Sequence, residues 1–402
     1  SLLVLLSWNY FFPPQQSQVQ QNEQVAQQES EQTASQEQET KPRNYTDNES
    51  DSAKTQMPEY ESLESGKKIT VNTPLYRAVF SSTGGILESF ELKKYKKTIQ
   101  KNSANIKLLN PTTLSKAPLG LLWNQRPTWS EAKWTFQGKD LNLQNDAEGS
   151  LVLRGELQDV NLVRRFEFQA DSYQINEQLF IENKSDIDQQ GKISFSMASE
   201  GLVADETRYN KTSVDYYDTE GFEEESDQDD LEIGIKSPDV VNWGGIASNY
   251  FLLAIVPTSE KMILKGKYDQ EIYRVILEAQ ALIPKGNEQQ FETTYYLGPK
   301  KSSILSQSPN HLETAIKYGW FDFIAKPLIK VLNFFYDYVG NYGLAIIILT
   351  ILIKIVFWPL SQKSYKSMEK MKKLQPMMQK LKEKYKDDRQ KMNQELMQLY
   401  KT

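Results

Sequence analysis

One cation stands inside an apolar run. Tyr342 to Trp358 is a 17-residue stretch whose single charge is Lys354, and Thr350 lies one turn earlier on the same helical face. An ammonium so placed costs up to ~3 kcal/mol on insertion scales, less if it snorkels. Its chemistry is electrostatic: in a low-dielectric site it attracts carboxylates strongly. The residues leave two readings open, a lysine snorkelling from ~6 Å inside the end of a span, or a cation facing a polar cavity beside Thr350. A second cluster follows at Met368, Met371, Met377 and Met378, interleaved with lysines that include Lys372 and Lys373. Flexible thioethers suit variable apolar partners, and the lysines suit lipid headgroups or RNA phosphates. The plainer reading of that stripe is a short coiled coil.

Conventional catalysis has little to work with. There are no cysteines and one histidine, His311, so thiolate sites, disulfides and His-rich metal motifs are excluded together. No G-x-x-x-x-G-K-[ST] loop, G-x-S-x-G elbow or G-x-G-x-x-G turn occurs. The expectation is a protein that is not an enzyme and has no cofactor and no metal. An acidic run, Glu220, Glu223, Glu224, Glu225, Asp227, Asp229 and Asp230, lacks calcium-loop spacing and is expected to be a solvated surface loop. Sugar-epimerising sandwiches use His with Glu or Asp, whereas His311 falls outside the strand-rich region.

The elements that must position Lys354 and the methionines follow from patterning. The 402 residues carry a net charge of −6, but from Lys354 onward thirteen Lys/Arg face five Asp/Glu, a net of +8, and the remainder carries −14. A division of charge at an apolar segment is the positive-inside signature of a crossing that enters the cytoplasm. Residues 1–12 are apolar and aromatic but too short to span. Because the first residue is Ser1 rather than Met, they are expected to be the back half of an N-terminal anchor. Residues 13–66, rich in Gln, Glu and Ser, are expected to be a disordered linker. Residues 67–300 show strand periodicity, as in Tyr173, Ile175, Leu179 and Ile181 with Glu177 the one polar interruption, and again in Ile193, Phe195 and Met197. More than ten such segments predict a large antiparallel β-sandwich.

Residues 301–341 are expected to be an amphipathic interfacial region, the alternative being a helix packed on the sandwich. Its helix, His311 to Tyr338, is kinked or started at Pro327. Residues 342–360 are the transmembrane helix, ended by Trp358-Pro359. Residues 361–402 are a cytoplasmic helical hairpin that turns at Lys386-Asp387-Asp388, with Met392, Leu396 and Leu399 on its second helix. The fold class is therefore mixed: a sandwich, an interfacial helix, one spanning helix and a helical hairpin.

Several motifs then resemble a known family. Tyr318-Gly319-Trp320-Phe321, Val339-Gly340-Asn341-Tyr342-Gly343, Trp358-Pro359-Leu360, Met368 to Pro376, Asp387 to Lys401 and Tyr296-Leu297-Gly298-Pro299-Lys300 resemble the YidC membrane-protein insertases in their long, Gram-negative form. The resemblance implies a multi-pass inner-membrane protein with a large periplasmic domain. In such proteins a hydrophilic intramembrane groove assists insertion, folding and assembly of membrane proteins, alone or with the Sec translocon. It implies nascent membrane proteins, the Sec translocon, the ribosome and membrane lipids as partners, with no DNA. It also places Lys354 and Thr350 in the groove, and Met368, Met371, Lys372, Lys373, Met377 and Met378 on the surface that receives substrates or ribosomes. The family usually carries arginine where Lys354 stands; lysine keeps the charge without the planar fork. It implies further spanning helices beyond Thr402 as well. The alternative is a membrane-anchored periplasmic binding or scaffold module.

Overall fold

Strand alternation puts every second side chain on one face, and in this chain that face is apolar along many strands. The computed structural model describes residues 66–110, 116–203, 206–308, 310–317 and 321–384, together with Gln390, Lys391, Asn393 and Met397. The expected anchor, nearly all of the linker, the Lys386-Asp387-Asp388 turn and Met392, Leu396 and Leu399 lie outside the described residues.

Among the described residues the strands form two sheets. The smaller runs β4 (Asn105–Leu109), β3 (Ile86–Lys96), β2 (Tyr76–Ser81), β1 (Lys68–Asn72) and β8 (Leu141–Asn142). The larger has fourteen strands. Its path begins β6 (Arg126–Pro127), β5 (Gly120–Trp123), β12 (Gln189–Ser199), β18 (Ile272–Ile283), β17 (Met262–Asp269) and β15 (Ile235–Ala247). It continues β16 (Phe251–Pro257), β19 (Glu288–Pro299), β11 (Gln174–Asn183), β10 (Val160–Gln169), β9 (Glu148–Glu156) and β7 (Lys133–Gln137). A hairpin of β13 (Ser213–Asp218) and β14 (Phe222–Glu225) attaches to β15. Pairing is antiparallel except between β1 and β8. The antiparallel sandwich expected from the strand periodicity is therefore present.

The two sheets meet through aromatic side chains. Phe80 of the small sheet lies 5.1 Å from Phe166 and 5.8 Å from Phe168 of the large one, ring centre to ring centre. Burying each such ring stabilises by about 1.5–3 kcal/mol. A charge shares this core. Arg164 takes an inward position on β10 between Leu162 and Phe166, and Glu177 takes one on β11 between Ile175 and Leu179. The register sets Phe166 opposite Glu177 and Arg164 opposite Leu179, so the two charges are diagonal neighbours. Arg164 Nε and Nη2 donate to the two Glu177 oxygens, the second at 3.0 Å, and the Tyr295 hydroxyl donates to Glu177 Oε2 at 2.7 Å. Arg164 Nη1 reaches across to the small sheet and donates to the carbonyl of Gly85 at 2.9 Å. Gly85 sits at φ +61°, where a Cβ would stand 2.5 Å from the Trp134 ring, so only glycine brings that carbonyl so close.

Both charged side chains are wholly inaccessible. Burial by itself would lower the Arg164 pKa, but Glu177 and Tyr295 more than offset it and hold the guanidinium above its ordinary value. Burial and the adjacent Glu177 carboxylate push the Tyr295 hydroxyl well above its ordinary value. The polar interruption at Glu177 thus marks a buried cross-sheet clamp.

Three sequence expectations change. The acidic run is not a loop: Phe222–Glu225 pairs as β14, and Gln228–Ile233 is a short helix capped by Asp227, with Leu231 buried beneath it. Its polar composition hid one apolar anchor. The helix expected from His311 begins instead at Asp322; Leu312–Ala315 is a separate 3-10 turn with Leu312 and Ala315 buried. Trp243 Nε1 donates to Thr314 Oγ1 at 3.2 Å, so this turn belongs to the sandwich. Helix α1 (Asp322–Val339) contains Pro327 within it. Helix α2 (Tyr342–Lys384) runs through Pro359 and Pro376 without ending. Each proline removes one i→i−4 bond, yet the flanking Leu, Lys, Gln and Met residues favour helix and no glycine interrupts them after Gly343.

Candidate functional site

The candidate groove and substrate-contacting residues, Thr350, Lys354 and Met368 to Met378, all lie on α2, and its start is defined locally. Gly340 caps α1 in the left-handed region at φ +66°, its N–H donating to Tyr336 O at 2.7 Å. Asn341 Oδ1 then accepts from the N–H groups of Gly343 at 2.8 Å and Leu344 at 3.3 Å, the N-cap arrangement that opens α2. Tyr336 and Tyr342 stack across the elbow with centroids 3.8 Å apart, and Ala345 is buried there. Val339-Gly340-Asn341-Tyr342-Gly343 is therefore a helix–helix corner, with each residue type fitted to its position.

Beyond the corner, α2 presents apolar side chains outward. Ile347, Ile351, Ile355, Val356, Phe357 and Trp358 are each more than half exposed. The stretch Tyr342–Lys380 is long and apolar enough to cross a membrane by length and composition. At 1.5 Å per residue the 43 residues of α2 extend ~65 Å, about twice a hydrocarbon core. Thr350 and Lys354 share one face, and both are exposed. The Thr350 hydroxyl donates to Ile346 O at 2.7 Å, so its own helix satisfies its proton while its lone pairs face outward. Among the described residues α1 is the element packed on α2, and they supply no further groove wall around Lys354.

The methionine cluster lies ~21 Å or more farther along the same helix from Lys354, counting from Met368. Met368, Met371 and Met377 are about half exposed, whereas Met378 and Leu374 are half-buried. Lys372 and Lys373 are exposed, and Lys373 pairs with Glu369 at 2.9 Å in the i,i+4 arrangement. The structure keeps the two clusters apart, joined by one helix.

At the sandwich exit, Tyr296 to Lys300 closes β19. The Tyr296 hydroxyl donates to Pro299 O at 2.7 Å, and a Cβ on Gly298 would meet the Tyr173 ring at 2.9 Å. Lys300 Nζ lies 3.5 Å from a carboxylate oxygen of Asp215, which is fully buried on β13. Burial raises the Asp215 pKa to about 6 against the opposing pull of Lys300 and of the Ser213 hydroxyl. Sequence reading did not find Asp215, Arg164 or Tyr295. Among them Arg164 alone had a visible signal, as a charge in the buried phase of Leu162, Phe166 and Phe168.

An apolar crossing helix with an exposed cation, joined by a tight corner to an aromatic-rich helix and a large strand domain, defines a membrane-anchored protein. Comparison with known proteins makes this specific. Residues 68–331 match the YidC periplasmic domain, and residues 334–402 match the 60Kd inner membrane protein family. The membrane protein insertase YidC of Maridesulfovibrio salexigens is 43% identical over the whole chain and 74% of its own length. Those of Oleidesulfovibrio alaskensis and Nitratidesulfovibrio vulgaris (strain DP4) are 47% and 46% identical over 84% of this chain and 63% of their own lengths. The chain belongs to the YidC membrane protein insertase family. It spans about two thirds to three quarters of these relatives. A galactose mutarotase-like protein from Lactobacillus casei superposes on 57% of the chain at 10% identity with a TM-score of 0.40, too distant to bear on function.

Proposed function

We propose that the chain works as a membrane protein insertase of the bacterial inner membrane, with the sandwich in the periplasm and the lysine-rich end of α2 in the cytoplasm. Its substrates are nascent membrane proteins, received alone or from the Sec translocon and the ribosome. No bond of the substrate is made or broken. The protein is multi-pass, and elements other than α1 and α2 complete the groove around Lys354. The observation that carries this reading is the exposed apolar surface of α2, interrupted on one face by Thr350 and Lys354.

The physics is a problem of desolvation. A polar tail crossing hydrocarbon unaided leaves each backbone group without a partner, at several kcal/mol apiece. A hydrated recess that reaches part of the way through the bilayer shortens that crossing. Lys354 attracts acidic tails into the recess, Thr350 offers lone pairs to hydrated donors, and the apolar substrate helix leaves sideways into lipid. Burial of that helix drives the process, at about 25 cal/mol per Å² of apolar surface. Helix α1 lies at headgroup depth with Phe323, Ile324 and Phe334 exposed towards the acyl region. Met368, Met371, Met377 and Met378 offer incoming segments an adaptable apolar surface, and Lys372 and Lys373 meet ribosomal RNA or anionic lipid.

The test is insertion of a single-span substrate with varied tail charge, by the full-length protein carrying each Lys354 substitution. Lys354→Arg should insert every tail. Lys354→Glu should impair acidic tails most, because like charges then meet in a low-dielectric site. Equal insertion of all tails by the Lys354, Ala and Glu versions would remove the charge from the mechanism. Spheroplast proteolysis that spares the sandwich and removes the α2 end would overturn the topology.

A further inference from the structure

A polar cavity of about 200 Å³ opens at the sandwich end from which the chain leaves for α1. Four cations converge on it: Arg208, Lys211, Lys300 and Lys317. Two are already partly engaged. Lys300 contacts the buried Asp215, and Lys317 lies 3.5 Å from Glu224 Oε2 and 3.8 Å from the centre of the Phe222 ring. Arg208 and Lys211 form no ion pair among the described residues and are exposed. With Glu224 on the wall and Asp215 beneath Lys300, the cations still exceed the carboxylates by two. Ser248 lines the same cavity; its Oγ accepts from the N–H groups of Tyr250 and Phe251, which leaves its own proton to donate. Excess positive charge with a free hydroxyl donor is a site for an anion carrying several acceptor oxygens.

We propose that this cavity binds the phosphodiester headgroup of an anionic phospholipid and so seats the sandwich on the outer surface of the membrane. Two observations favour lipid over a diffusing anion. First, the pocket residue Lys317 is five residues before α1 begins at Asp322, a separation of at most ~18 Å of extended chain. Second, Tyr209 lines the cavity and Tyr250 directly follows the lining residue Asn249; they are 83% and 67% exposed. Tyrosines with an apolar ring and a polar tip are the side chains that settle at headgroup level. Both are held in place, since Asn249 Nδ2 donates to Tyr209 O at 2.6 Å and Lys300 N donates to Tyr250 O at 2.7 Å. The proposal rests on the reading of α1 as a surface helix and is independent of insertase activity.

The absence of cysteine permits single nitroxide labels, one at Tyr250→Cys beside the cavity and one at Phe334→Cys on α1. The labelled full chain in phosphatidylcholine nanodiscs is titrated with dihexanoyl-phosphatidylglycerol, with inorganic phosphate, or with an acidic peptide. Phosphatidylglycerol should immobilise the Tyr250→Cys label in a saturable manner. Arg208→Gln with Lys211→Gln should raise the midpoint about 30-fold, as expected for two surface cations at ~1 kcal/mol each. Both side chains are exposed, so the double variant keeps the fold, which near-ultraviolet circular dichroism checks. Equal potency of inorganic phosphate would overturn the lipid assignment in favour of a bare anion site, and response to the peptide alone would overturn it in favour of carboxylates. An unchanged midpoint in the double variant would overturn the site itself. The Phe334→Cys label separately reports depth by oxygen and nickel-chelate accessibility. A water-exposed label there refutes the surface reading of α1, whereas a buried label with an unresponsive Tyr250→Cys refutes the cavity proposal alone.

Discussion

The sandwich and α2 use the same apolar residue types in opposite surroundings. Ile255 is fully buried and Ile355 is 67% exposed; Trp243 is fully buried and Trp358 is 68% exposed. In the sandwich the hydrophobic effect holds two sheets together, and even a charge pair is drawn into the core and satisfied there. On α2 those residues have no protein to bury against among the described residues, so their stabilising medium lies outside, in lipid or in another chain. The charges differ in the same way. Arg164 has three acceptors supplied by the fold, the two Glu177 oxygens and the Gly85 carbonyl, whereas Lys354 faces outward with no partner among the described residues. A buried charge with built-in partners reads as structure; an apolar-surface charge without them is, in the proposed reading, available to a substrate.

Removing one member of the clamp should have the largest effect. Glu177→Ala leaves Arg164 charged and unpaired in the core and should destabilise the sandwich by about 3–5 kcal/mol, measured by urea unfolding of the full chain in nanodiscs. Replacing both charges with apolar residues, Arg164→Met with Glu177→Leu, should recover most of that loss. If the single and double variants unfold alike, the clamp is not what makes Glu177 matter. Matched truncations extend the contrast. Phe166→Ala should cost about 3–5 kcal/mol of sandwich stability, and Phe357→Ala should leave it unchanged within about 0.5 kcal/mol.

The sandwich was legible because period-two alternation survives in nearly every long strand, and the phase of Ile193, Phe195 and Met197 is the phase the structure buries. Glu177 was visible as an interruption, but its partners were not. Arg164 is thirteen residues away and Tyr295 is 118 residues away, and no local pattern encodes that pairing. The corner was legible as the boundary between segments 301–341 and 342–360, since Gly340 and Asn341 have local conformational reasons to be there. Pro359 misled because an X-Pro step ordinarily ends a helix, whereas a long helix absorbs the loss of one bond. The acidic run misled because composition reports solvation and not pairing: three glutamates can occupy an edge hairpin whose register is set by β13. At the candidate site, the positions of Lys354 and Thr350 on one face followed from spacing alone. The convergence of Arg208, Lys211, Lys300 and Lys317 depends on β13, β16 and β19 coming together, and no sequence pattern announces it.

A smaller effect distinguishes the buried Asp215 from the clamp. Its folded pKa is raised from 3.8 to about 6, so the folded chain retains a proton that the unfolded chain has lost between these values. The stability this proton confers is full below the unfolded pKa and is lost as pH rises through about 6. At ~1.4 kcal/mol for each unit by which the pKa is raised, the loss between pH 4 and pH 7 amounts to about 2 kcal/mol. Asp215→Asn should remove that segment of the stability–pH curve, read as the difference between variant and parent. An unchanged difference across the interval would show that Lys300 keeps Asp215 ionised throughout.

The smallest expected effect tests whether the two regions are coupled at all. Asn341 caps α2 through two N–H groups, and Asn341→Ala should cost about 1 kcal/mol of local helix stability. Because Tyr336 and Tyr342 still stack across the corner, the loss should appear as faster amide exchange at Gly343 and Leu344, with the sandwich strands unchanged. If α2 takes its stability from lipid and the sandwich from its own core, an uncapped corner has no route into the strands. Accelerated exchange in β19 or β13 would show the opposite, that the corner transmits strain through Lys317 and Lys300 into the periplasmic domain. The independence of the buried and exposed regions would then fail at its hinge.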